Sequence, residues 1–120
     1  MRGPDHKQSS LFSYTNIEDR IAADHPLRRV KVMADMVLHS MSPTFDSLYA
    51  EGGRPSIAPE RLLRALLLQC LFSIRSERAL IEHLDFNMMF RWFVGLSQDE
   101  PVWDHSSFSA NRDRLFKESV

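Results

Sequence analysis

The chain has 120 residues, 43% of them apolar, with 15 basic against 16 acidic side chains and a formal net charge of −1. These figures fit one domain with one packed core and exclude wholesale disorder. They also exclude a uniformly basic nucleic-acid binder, so any basic surface must come from how the charges are placed.

Residues 1–16 are polar and lack helical periodicity, which predicts an extended arm, with Leu11, Phe12 and Tyr14 available to dock it on the core. The rest, 17–120, reads as one helical domain. The first helix is expected near Asp24-His25-Pro26. Asp24 is the capping candidate, and Pro is tolerated in a first turn. Leu27, Val30, Met33, Ala34, Val37 and Leu38 recur at helical spacing, with Arg28, Arg29 and Lys31 on or beside the opposite face. Ser42-Pro43 starts a short helix through Tyr49. Glu51-Gly52-Gly53-Arg54-Pro55-Ser56 is the clearest break, because Gly allows positive φ and Pro55 disfavours helix at Arg54.

A long helix is expected from Pro59 to about Ser73, its apolar face formed by Leu62, Leu63, Leu66, Leu67, Cys70, Leu71 and Ile74. Ser76 caps the next helix, where Arg78 and Glu82 are spaced to pair across one turn. Asn87 caps Met88–Val94, and Gly95 suits its stop. The aromatic run Phe90-Arg91-Trp92-Phe93 is too dense for one buried face. Either that helix is enclosed, or part of it meets a missing domain or a partner chain. After a polar linker, a last helix begins at Asp104 or His105 and runs to about Lys117. Phe108, Leu115 and Phe116 should face inward, and Ser107, Asn111 and Arg114 outward. Nothing reads as a strand ladder. The fold class is all-α, a compact bundle of about five or six helices.

Two constellations bear on function. The first is the helix pair joined by Ser73-Ile74-Arg75-Ser76, with Arg61, Arg64, Arg75 and Arg78 around it. A joint this short is compatible with a helix-turn-helix-like pair and equally with any antiparallel bundle. The arginines could contact DNA, or form a solvated face paired with Glu60, Glu77 and Glu82. The second constellation is Asp104 through Arg114. Hydroxyls and N–H groups in a first helical turn suit phosphate contacts, as Ser107 would make. Asn111, Arg112 and Arg114 are of the types that read adenine and guanine edges. The plain alternative is a capped surface helix. Twelve of the basic residues are Arg and three Lys, which fits phosphate and guanine recognition but equally GC-rich codon usage.

Enzyme chemistry finds no foothold in the residues. The five histidines lack metal-ligand spacing, and the acid pairs Glu18-Asp19 and Asp99-Glu100 lack a partner base. No phosphate loop, nucleophile elbow or H-E-x-x-H motif occurs. Cys70, the single cysteine, excludes an internal disulfide and a Cys-based zinc site. No metal, cofactor or catalytic residue is expected. No run of about 18 apolar residues exists to span a membrane. The first seven residues lead into polar sequence, not a signal core, so a cytoplasmic protein is expected.

Several ordered pieces carry a resemblance: Asp24-His25-Pro26-Leu27-Arg28, Gly53-Arg54-Pro55-Ser56, Leu71 through Arg78, and Phe90 through Leu96. Val102-Trp103-Asp104, Phe108-Ser109, Asn111-Arg112 and Leu115 complete the series. Together they resemble the N-terminal domain of the InsH-type transposases, a branch of the DDE insertion-sequence transposases of bacteria. The likeness runs from about Leu11 to Leu115. It implies a helical region that binds the terminal inverted repeats of the element and takes part in assembly. In that family an RNase H-like domain with the acidic catalytic triad follows. This chain ends at Val120, so the resemblance carries over no catalytic residue. The expectation is a truncated, catalytically inactive DNA-binding module. Its partners would be DNA and another copy or a full-length transposase. The alternatives are a module that associates with or inhibits full-length transposase through the Met88–Val94 surface, and a gene remnant. The closing Phe116-Lys117-Glu118-Ser119-Val120 departs from the family's continuation.

Overall fold

The structure, a computed structural model, describes residues 2–6, 12, 14–48 and 57–118. Seven helices occur among them: α1 (Ile17–Arg20), α2 (Pro26–Ser40), α3 (Ser42–Leu48), α4 (Pro59–Leu71), α5 (Glu77–Phe86), α6 (Met88–Val94) and α7 (His105–Glu118). No strand occurs among the described residues, so the fold is all-α. Six helices match the sequence expectation. The seventh, α1, is a single turn capped by Asn16, whose side chain accepts from the Glu18 N–H. One turn is too short to produce a periodic signal. Tyr49 and the Glu51–Ser56 break lie outside the described residues.

Local signals explain most helix ends. Ser76 Oγ accepts from Ala79 N–H at the start of α5, and Asn87 Oδ1 accepts from Met89 and Phe90 N–H at the start of α6. Gly95 ends α6 in the left-handed region at φ 100°, where glycine avoids the Cβ penalty. The start of α2 differs from expectation. His25 is the cap, its Nδ1 accepting from Leu27 N–H at 3.1 Å, while Asp24 is exposed one residue too early. At the end of α4, Ile74 N–H reaches back to Gln69 O and Ser73 N–H to Cys70 O. That is a Schellman turn, built with Ser73 at φ 52° where glycine is usual.

The core is a layer of α4, α5, α6 and α7. Leu62, Ala65 and Leu68 of α4 meet Leu80 and Leu84 of α5, Phe90, Phe93 and Val94 of α6, and Phe108 and Leu115 of α7. Helix α6 packs against α4, α5 and α1, and α7 against α4 and α5. Of the two readings of the aromatic run, enclosure is the one observed. Phe93 and Val94 are fully buried and Phe90 nearly so, so the Met88–Val94 surface leaves only Met88 exposed.

Five packing expectations are corrected. Phe12 and Tyr14 are exposed and stand away from the core among the described residues; Leu11 lies outside the described residues. The buried stripe of α4 runs through Leu62, Ala65 and Leu68, with Leu63, Leu66 and Leu67 half-buried and Cys70 and Leu71 exposed. The buried stripe is rotated from the face that the leucines alone define, because α4 packs against α5, α6 and α7 together. Phe116 is exposed, and Asn111 turns inward. Arg78 and Glu82 are both exposed, with no ion pair between them among the described residues.

Candidate nucleic-acid interface

The eight residues expected to contact DNA fall into three sets once folded: five engaged, two exposed, and half-buried Arg114. Arg61, Arg64, Ser107, Asn111 and Arg112 are engaged inside the domain. Arg61, in the first turn of α4, donates from Nη1 to Glu100 Oε2 at 2.6 Å and from Nη2 to Gly95 O at 2.8 Å. It thus ties α4 to the linker after α6. The hydrogen bond from Arg61, helped by its charge and by Ser97 N–H, outweighs desolvation and holds the Glu100 carboxyl below its ordinary value.

Arg64 pairs with Asp35 of α2 at 2.9 Å, and Lys31 pairs with the other oxygen of the same carboxylate at 2.9 Å. Burial opposes ionisation of Asp35, but these two cations overcome it and lower its pKa. The partners of Arg61 and Arg64 are distant in sequence. Local spacing had pointed to Glu60, Glu77 and Glu82 instead.

Helix α7 is held in the same way. Arg112 forms an ion pair with Glu77 at the start of α5 and reaches Asp113 at 2.9 Å. Ser109 Oγ donates to Glu77 Oε2 at 3.2 Å. Asn111 Oδ1 accepts from Ile57 N–H, and its amide donates to Ser107 O. The Ser107 hydroxyl and N–H both serve the Asp104 carboxylate, which caps α7 and has its pKa lowered by those bonds. Arg114 is half-buried. Ser107 of the serine-rich first turn thus serves the Asp104 cap, and Ser109 serves the contact with α5.

Arg75 and Arg78 remain exposed, one in the α4–α5 joint and one in the first turn of α5. Arg75 lines a depression of about 420 Å³ with Phe72, Ile74, Glu82, His83 and Phe86. The rings of Phe72 and Phe86 are themselves 45% and 64% exposed. Here the Arg75 guanidinium and the side chains of Phe72 and Phe86 reach solvent together, with Arg78 exposed in the adjoining turn of α5.

The arginine that sequence reasoning passed over is Arg91. It is 4% exposed, and its guanidinium serves four carbonyls. Nη1 donates to Leu84 O and Asp85 O at 2.8 and 3.0 Å, the last carbonyls of α5. Nε and Nη2 donate to Ser97 O, and Nη2 also to Glu100 O. All five N–H donors of the planar group are used. The signal was present in the sequence: one cation among Phe90, Trp92 and Phe93, with no polar neighbour to draw it outward.

Trp92 forms a second cluster. Arg28 and Lys31 of α2 sit over its ring at 5.4 and 5.5 Å. Its Nε1–H donates to Glu18 Oε1 at 2.9 Å, and Glu18 pairs with Arg28 at 2.8 Å. The Trp92 bond first, and the Arg28 bond second, lower the Glu18 pKa. Among the described residues, no group of three or more His, Cys, Asp or Glu is placed to hold a metal ion.

The sequence profile of the family described as Transposase domain (DUF772) matches residues 15–114, from the residue before the Asn16 cap to Arg114 in α7. The chain belongs to this transposase domain family. The match takes in α1 to α6 and α7 as far as Arg114, and it agrees with the resemblance carried by the ordered sequence pieces. No curated protein and no solved structure matches this transposase domain. No helix among the described residues is long and apolar enough to cross a membrane.

Proposed function

We propose that this transposase domain is a DNA-binding module that recognises the terminal inverted repeats of its element, without itself supplying catalytic residues. Membership of the transposase domain family carries the reading. The α4–α5 joint is the surface we favour for it, since Arg75 is exposed beside Phe72 and Phe86, and Arg78 is exposed in the adjoining first turn of α5. With a net charge of −1, long-range attraction is weak and local arginine placement must do the work. Arg114 and the engaged residues Arg61, Arg64, Ser107, Asn111 and Arg112 stay candidates for contacts formed on binding. All of them already have interactions inside the domain, so their loss is expected to register in folding as well. DNA bound in this way would place the protein in the cytoplasm.

Fluorescence anisotropy against a terminal-repeat duplex and a scrambled duplex, at several salt concentrations, tests the reading. Arg75→Ala and Arg78→Ala are each expected to weaken binding and to reduce the salt slope by about one. Equal affinity for both duplexes, with no salt dependence, would overturn specific recognition.

A further inference from the structure

We propose that the outward face of α2 is a self-association surface that docks antiparallel on α2 of a second copy of this chain. Val32, Met33, Met36 and Val37 are 59%, 66%, 68% and 56% exposed, on the side of the helix away from buried Leu27 and Leu38. The stripe is flanked by two apolar depressions. One, of about 420 Å³, lies between α2 and α4 and is lined by Val30, Ala34, Leu63 and Leu67 as well as by Met33 and Val37. The other, of about 400 Å³, is lined by Arg28, Arg29, Val32 and Met33. Methionine tips beside such depressions suit interdigitation, because the side chain is flexible and polarizable.

The order of residues along the stripe selects the occupant. Arg29, Met33, Met36 and Ser40 follow at intervals of four, three and four, and all four are exposed. This pattern is symmetric about the point between Ala34 and Asp35 of α2. A two-fold axis at that point sets Met33 against Met36 of the other copy and Arg29 against Ser40, the self-complementary arrangement a dimer requires. Charge fixes the direction. Asp35, the acid of α2, is turned away and paired with Lys31 and Arg64. Parallel pairing would set Arg29 against Arg29. Antiparallel pairing sets each Arg29 at the carbonyl end of the facing helix, where the helix dipole favours a cation.

The extent of the surface sets the strength. Fifteen residues make a helix about 22 Å long. One face of a single helix of this length falls short of the ~800 Å² per partner of a standard interface. The pair is therefore weak and concentration-dependent. It does not depend on the DNA-binding reading.

Sedimentation equilibrium of the full chain from micromolar to submillimolar concentration tests the proposal, with helix content by circular dichroism confirming that each variant folds. The expected result is a reversible monomer–dimer equilibrium. Met33→Lys and Met36→Glu should each weaken it at least tenfold. The Met33→Lys/Met36→Glu double variant, which sets each Lys against the facing Glu in the antiparallel pair alone, should regain association. A wild-type chain that stays monomeric, association untouched by the single variants, or a double variant no better than either single one would overturn it. A stripe covered only when a longer protein is added would overturn it as well.

Discussion

Helices α6 and α2 are both rich in apolar residues, and the protein treats them in opposite ways. Phe90, Phe93 and Val94 of α6 are enclosed by α4, α5 and α1, while Val32, Met33, Met36 and Val37 of α2 face solvent. The cation in each helix follows the same division. Arg91 of α6 gives up its hydration for carbonyl oxygens of α5 and the following linker. Arg28 and Lys31 of α2 stay part-exposed over the Trp92 ring. Apolar content alone therefore does not say where a helix sits. α6 is seven residues long with neighbours on several sides, whereas α2 is fifteen residues long and packs along one side.

If that contrast is right, the largest effect belongs to Arg91. Arg91→Ala leaves carbonyls of α5 and the linker without their donor, and a loss of about 3–5 kcal/mol is expected in urea unfolding. Arg91→Lys should recover little of it, because an ammonium cannot reproduce the planar fork. A stability close to wild type in either variant would mean that water replaces the guanidinium and that α6 is less enclosed than described.

Truncation of apolar side chains compares the two helices directly. Phe93→Ala should cost about 3–5 kcal/mol through a cavity in the core, and Met33→Ala under about 0.5 kcal/mol in the monomer, as for an exposed site. Thermal denaturation of both variants at low concentration provides the comparison. A cost for Met33→Ala near that of Phe93→Ala would erase the distinction.

The single tryptophan of α6 bridges the two regions. Trp92→Phe keeps a smaller ring under Arg28 and Lys31 but loses the bond to Glu18. A drop of about 0.5–1 kcal/mol is expected from the weakened cation–π contacts. The Glu18 pKa should rise toward its ordinary value of 4.5, which a side-chain NMR titration reads. An unmoved Glu18 would show that Arg28 alone sets it.

Acid should separate the regions most gently. The folded pKa of Asp35 lies below its ordinary 3.8 and that of Glu100 below its ordinary 4.5. Each contributes stability that is present above its unfolded pKa and lost as pH falls through the folded one. Asp35 ties α2 to α4, and Glu100 ties the linker to α4. Amide hydrogen exchange below about pH 4 should show α2 loosening before α6. Equal protection in both helices, or the reverse order, would count against ion pairs as the fastening of α2.

Six of the seven helices were legible because caps and punctuation act locally. Ser76, Asn87 and Gly95 do their work within four residues of where they stand. Asp24 misled because His25, one residue later, carries an acceptor nitrogen at the required distance. The candidate site was less legible. Arg61, Arg64 and Arg112 look alike in the sequence as exposed helix-face cations, yet the first two find acids 39 and 29 residues away. Arg112 finds Glu77 across the α5–α7 contact.

By itself the sequence determined the all-α class, most helix boundaries and, through ordered motifs, the transposase resemblance. These rest on hydrogen bonds and periodicities spanning a few residues. Only the tertiary structure decided which apolar face is covered and which arginines are engaged. Burial and ion pairing depend on what other elements bring to the same place. Arg91 among aromatic rings and Arg75 in a short joint show the difference: both are arginines, and packing alone makes one a buried fastening and leaves the other exposed.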